Sequence, residues 1–113
     1  MISAEQARAA ALSLPEAVEQ DHHGRPSFRV QHKIFATLWT AEQMNVMLDE
    51  DGIRTAVAEH PEVCSEVWWG KRLAAVRVQL RDAEPVLLAE LLADAWERRT
   101  GAPLSSGPDP LRR

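Results

Sequence analysis

Residues 24–39, GRPSFRVQHKIFATLW, decide how this chain folds. Arg25-Pro26 is punctuation, and Phe28-Arg29-Val30 alternates apolar and polar side chains, as a half-buried strand does. Alternation resumes from Lys33 to Trp39, with Ile34, Ala36 and Leu38 expected on one face and Phe35, Thr37 and Trp39 on the other. Only Gln31-His32 lies between the two runs, so they are expected to pair as a hairpin on a two-residue turn. That turn is chemically awkward. A type I′ geometry needs positive φ at both central positions, and neither residue is glycine.

Downstream, Met44–Leu48 reads as a third strand, with Met44, Val46 and Leu48 against Asn45 and Met47. The acidic run Asp49-Glu50-Asp51-Gly52 suits a helix start, where carboxylates cap free N–H groups and oppose the dipole. Ile53, Ala56, Val57 and His60 then repeat at helical spacing until Pro61. A second hairpin follows: Ser65–Trp69, a turn at Gly70-Lys71-Arg72, and Leu73–Leu80. In its second strand Ala74, Val76, Val78 and Leu80 oppose Ala75, Arg77 and Gln79, which implies an antiparallel sheet covered on one face only.

Helices are expected at both ends. Ser3 and Gln6 have capping-box spacing, Ala7, Ala10, Ala11 and Leu14 form a stripe, and Pro15 should stop a helix over residues 3–14. Near the C-terminus, Asp82 or Glu84 can cap, Pro85 fits the first turn and Gly101 the stop, around a stripe of Leu88, Leu91, Leu92, Ala95 and Trp96. The expected order is α-β-β-β-α-β-β-α. This describes a single two-layer α+β domain over residues 1–101, with an antiparallel sheet of about five strands and helices on one face. Residues 102–113, rich in Pro, Gly and Ser, are expected to form a flexible tail.

At 113 residues there is chain for one core but not two. No apolar run approaches the roughly 18–20 residues of a membrane span, and the first ten residues lack the charged start and apolar stretch of a leader. A cytoplasmic protein without membrane contact is therefore expected. The single cysteine, Cys64, leaves no internal disulfide and no multi-cysteine zinc site.

Three stretches together resemble the MmcQ/YjbR family. Gly24-Arg25-Pro26-Ser27-Phe28-Arg29-Val30 with Lys33-Ile34-Phe35-Ala36 is similar to the family's first hairpin. His60-Pro61-Glu62 resembles its helix exit, and Ala75-Val76-Arg77-Val78 with the helix ending Ala95-Trp96 resembles its last third. His32 departs from the pattern, standing where such proteins commonly carry glycine. The resemblance spans about residues 3–100 and implies a fold like that of type III secretion chaperones. Members are often labelled DNA-binding because the fold looks like a "double-wing" module that faces duplex with strands. The resemblance carries over no catalytic residue.

Charge placement points the same way. The stretches 24–39 and 65–81 each carry a net charge of +3, although the whole chain is at −4. Basic β-ribbons can neutralise phosphates, which makes Arg29, Lys33, Lys71, Arg72, Arg77 and Arg81 candidates for weak binding of duplex DNA. The plainer account is that these cations solvate an open face and blunt strand edges. Four tryptophans without a tyrosine suggest an alternative, a small-ligand or protein-partner site at Trp39, Trp68 and Trp69, with Trp96 in the core. Adjacent Trp68 and Trp69 cannot both point inward from an extended strand.

No metal or other cofactor is expected, because His22, His23, His32, His60 and Cys64 show no ligand spacing that would complete four positions. Cys64 with His60 lacks a visible orienting group, and no nucleophile elbow or phosphate loop occurs. The expectation is a non-catalytic binding domain. Ionic strength separates its two variants, since phosphate binding collapses with salt and aromatic anchoring barely changes.

Overall fold

The computed structural model of the chain describes residues 1–104. Its elements are α1 (Ala4–Leu12), β1 (Val18–His22), β2 (Arg25–Val30), β3 (Lys33–Thr40), β4 (Gln43–Val46), α2 (Glu50–Glu59), β5 (Cys64–Trp69), β6 (Arg72–Gln79) and α3 (Pro85–Thr100). The six strands form one antiparallel sheet in the order β1-β2-β3-β4-β6-β5. All three helices pack on one face. The expected α+β architecture and element order hold, with one strand more than expected.

The added strand is β1. Four of its five residues, VEQDH, are exposed, so it has no apolar alternation to announce it. It joins the sheet through backbone pairing at an edge, with Gln20 opposite Ser27 and His22 opposite Arg25. The turn between β1 and β2 places His23 at φ 55° and Gly24 at φ 85°. Gln31 and His32 take the same pair of left-handed conformations, with φ of 53° and 68°. The awkward hairpin therefore forms as the type I′ turn its length demands. In the β5–β6 turn only Gly70 is left-handed, at φ 62°, which fits a type II′ turn, and β6 begins one residue earlier than expected, at Arg72.

A bulge corrects the expected faces of β3. Phe28 pairs with Ala36 but Arg29 pairs with Ile34, so Phe35 is the extra residue. Phe35 and Ala36 are both fully buried in the main core, while Ile34 joins Met47, Val67 and Ala75 in a second cluster. Strict alternation would have put Ile34 inside and Phe35 outside. The bulge reverses both.

The main core lies between the sheet and the helices, where Phe28, Val30, Leu38, Met44, Val46, Val76, Val78 and Leu80 meet Ile53, Leu88, Leu91, Leu92, Ala95 and Trp96. Ser3 and Gln6 form the reciprocal capping box, and Asp49 caps α2 by accepting from the Gly52 N–H. The expected cap of α3 is absent. Glu84 occupies the N-cap position without a side-chain bond, Pro85 follows, and Gly101 at φ 72° ends the helix. Within the expected tail, Leu104 packs against the core and its N–H donates to the Glu97 carboxylate at 2.6 Å. The remainder of that segment lies outside the described residues.

Candidate functional site

The helix-free face is organised by one polar row. Register places Gln20, Ser27, Thr37, Asn45, Arg77 and Ser65 opposite one another across all six strands. Three of them, Ser27, Thr37 and Asn45, are buried, and they are the buried polar residues among those described. Polar groups at such depth need partners. Ser27 Oγ donates to the Gln20 carbonyl at 2.8 Å, and Asn45 Oδ1 accepts from Arg77 Nε at 2.9 Å.

Arginines are held on this face in a common way. Arg25 Nε donates to the Trp39 carbonyl at 2.9 Å, Arg29 Nε to Ser27 Oγ at 3.1 Å, and Arg99 Nε to the Ile34 carbonyl at 2.8 Å. With Arg77 this makes four guanidiniums fixed through Nε, leaving the paired Nη groups of each as outward donors. Among the described residues the ion pairs engage Arg8 and Arg54, and none involves these four. Trp39 gathers two of them: the Arg25 guanidinium lies 3.8 Å from its ring centroid and that of Arg77 5.0 Å. Arg72 lies 5.1 Å from the Trp69 ring. Burial, followed by the nearby charges of Arg98 and Arg72, lowers the pKa of Arg99, so positive charge is crowded here.

Of these side chains, Arg25, Arg99, Trp39 and Trp69 border a cleft of about 480 Å³. Its lining combines Trp39, Trp69, Ile34 and Met47 with His22, His23, Arg25 and Arg99, over Thr37 and Asn45, and contains no carboxylate. The volume falls in the usual range for small-molecule sites, roughly 300–1,000 Å³. Acids collect elsewhere. Asp51, Glu59, Glu90 and Asp94 line a groove between α2 and α3 on the other side of the sheet. The net charge of −4 thus conceals a cationic cleft and an acidic groove on opposite sides of the sheet.

Of the six cations expected to act together, Arg29 and Arg77 lie on this face, and Arg72 reaches it beside Trp69. Lys71 sits in the exposed β5–β6 turn. Lys33 pairs with Val30, whose side chain is in the main core, so register sets it toward the helix side, and Arg81 follows the far end of β6. The six do not converge on one surface. Trp39 and Trp69 share the cleft. Trp68 does not: its Nε1 donates to Glu66 at 3.0 Å, and Glu66 in turn faces Arg54 of α2 at 3.9 Å. Both Trp68 and Trp69 are about half exposed, at 47% and 51%.

Sequence reasoning did not select Arg25, Arg99 or Asn45 as site residues. Asn45 carries a local signal, as a lone amide between Met44 and Val46. Arg99 carries none, because its place in the last turn of α3 is explained by the helix dipole alone. His22 and His23 border the cleft with ring centroids 4.4 Å apart. Cys64 is buried, and burial with Glu62 nearby pushes its thiol up to about 11, which suits packing and opposes nucleophilic use. Among the described residues no group of three or more His, Cys, Asp or Glu is placed to hold a metal ion.

The YjbR family model matches residues 12–98, from the end of α1 through nearly all of α3. This chain belongs to the YjbR family. Its YjbR domain is similar in fold to the crystal structure of the Deinococcus radiodurans protein DR2400, described as a DUF419 domain, with a TM-score of 0.73 over 96% of each chain at 17% identity. Comparison with curated proteins gave no match. The matched YjbR region holds the polar row and every cleft-lining residue except Arg99, which falls one position beyond it. Among the described residues no helix is long and apolar enough to cross a membrane.

Proposed function

We propose that this YjbR domain is a non-catalytic binding module that takes nucleic acid on its helix-free sheet face, in single-stranded form. The observation that carries the reading is the stacking of arginines, outside any ion pair among the described residues, on tryptophans of one sheet face: Arg25 and Arg77 on Trp39, and Arg72 on Trp69. A sheet that offers cations for phosphates and flat rings for bases favours unpaired strands, whose bases are free to stack. Duplex presents phosphates but hides its ring faces, and the scattering of Lys33 and Arg81 away from this surface weakens the case for a two-hairpin grip on duplex. The double-wing label common in the family is compatible with a strand-mediated contact of either kind.

Fluorescence anisotropy with a labelled single strand and the matching duplex tests this, at about 50 mM and about 200 mM salt. The single strand is expected to bind more tightly and to weaken steeply with salt. Arg29→Ala with Arg72→Ala should flatten the log–log salt slope by about 1.4, at roughly 0.7 per lost phosphate contact. Absence of binding at the lower salt, or a double variant indistinguishable from the parent, overturns the reading.

A second reading, a small anionic ligand in the cleft, draws on the cleft's volume and acid-free lining. It predicts binding of a monomeric ligand without strand binding.

A further inference from the structure

We infer that the cleft is a base-reading pocket, in which Asn45 and Thr37 hydrogen-bond the edge of one nucleobase while Arg25 and Arg99 hold its phosphate. This rests on the single-strand reading above and adds to it a specific seat for one nucleotide. The inference starts from the Asn45 amide. Its Oδ1 is taken by Arg77 Nε at 2.9 Å, so the orientation of the amide is set, and its two N–H groups are the donors that remain. Asn45 is only 3% exposed, yet it lines the cleft. Thr37, opposite Asn45 in the β3–β4 register and 6% exposed, lines the cleft beside it. A hydroxyl both donates and accepts. Together they offer donor and acceptor side by side, the complement of a base edge that carries an acceptor next to an N–H.

Burying an amide and a hydroxyl beside Ile34 and Met47 is costly without a role, because a hydrophobic pair would pack there without desolvation. Trp39 and Trp69 supply ring contact in the same cleft, and Arg25 and Arg99 offer free Nη donors at its border. A phosphate meets charge-assisted bonds from guanidiniums that are already fixed, so little side-chain entropy is lost on binding. The site therefore suits a ligand with a hydrogen-bonding ring at one end and a phosphate at the other. A phosphate alone would leave the amide and the hydroxyl unused.

The test compares an oligonucleotide with an abasic strand of equal length, and adds nucleoside 5′-monophosphates and ribose 5-phosphate as monomers, all titrated against the full chain by anisotropy or tryptophan fluorescence. The abasic strand is expected to bind about tenfold or more weakly than the parent strand at equal salt. Thr37→Val, which keeps shape and removes the hydroxyl, should weaken the base-bearing strand about fivefold and leave the abasic strand unchanged. Nucleoside monophosphate should outcompete ribose 5-phosphate. Equal binding of abasic and base-bearing strands overturns the pocket while leaving the strand reading intact. Monophosphate binding that Thr37→Val weakens, without any strand binding, supports the pocket and overturns the strand reading. Failure of both strand and monophosphate to bind overturns both. Circular dichroism of Thr37→Val confirms the fold, and Asn45→Asp serves as a second variant, expected to abolish monophosphate binding because a carboxylate sets acceptors where the base edge needs the amide's N–H donors.

Discussion

The indole of Trp96 donates from Nε1 to the Pro15 carbonyl at 2.9 Å, which ties the last helix to the loop after the first across 81 residues of sequence. Trp96 is only 9% exposed, so this bond is made where water competes little. Pro15 lies between α1 and β1, so its carbonyl takes part in the hydrogen bonds of neither element.

Trp96→Phe keeps a ring and loses the donor, and should cost about 1–2 kcal/mol in chemical denaturation. Leu92→Ala, at a site 1% exposed in the main core, should cost more, about 2–5 kcal/mol. An inverted order, with the Phe variant the weaker of the two, would mean that α3 is held by its polar tether more than by its apolar stripe.

The β2–β3 turn holds two non-glycine residues in left-handed conformation, at a cost of roughly 1–2 kcal/mol each. Gln31→Asn with His32→Gly supplies the residue pair that type I′ turns favour. Thermal melts should show a gain of about 1 kcal/mol or more, offset in part by the greater freedom of glycine in the unfolded chain. A melting temperature no higher than the parent's would show that Gln31 and His32 bear this geometry without penalty.

Cys64 should be silent in the folded protein. Burial and the Glu62 charge hold its thiol near 11, far above the ordinary range. At about pH 8 an aromatic disulfide reagent should label it only as fast as the chain opens, and fully once denaturant unfolds it. Rapid labelling in buffer alone would contradict its burial on the core side of β5.

Burial, then Glu97, Glu90 and Asp49, raise the pKa of the Asp94 carboxyl. A carboxyl that binds its proton more tightly when folded contributes destabilisation as pH rises from the unfolded value, about 3.9, through its folded value. Asp94→Asn should therefore raise stability at about pH 7 by a few tenths of a kcal/mol, and the difference should close near pH 3. Melts across that range check the sign, and a variant less stable than the parent at neutral pH would reverse it.

Much of this fold could be derived from the sequence alone, for reasons that are local. The capping box at Ser3 and Gln6, the cap at Asp49, the stop at Gly101 and the apolar stripe of α3 each act within a turn or two of chain, so residue type and spacing specify them. The one-sided alternation of β6 predicted a sheet with an open face, and the structure has one. Strand β1 escaped because an edge strand buries little and is held by pairing with β2, which no periodicity within VEQDH records.

What remained was decided by contacts distant in sequence. The bulge at Phe35 turns Ile34 out and Phe35 in, because the partner strand β2 sets the register there. The convergence of Arg25, Arg77 and Trp39, and the arrival of Arg99 at Ile34, depend on strand order and on where α3 ends over the sheet. Net charge could not predict a cationic face on an acidic chain, since composition sums charges that the fold separates onto opposite sides. Local propensity reaches a few residues along the chain, whereas a binding surface is built from side chains tens of residues apart whose meeting only the packed sheet determines.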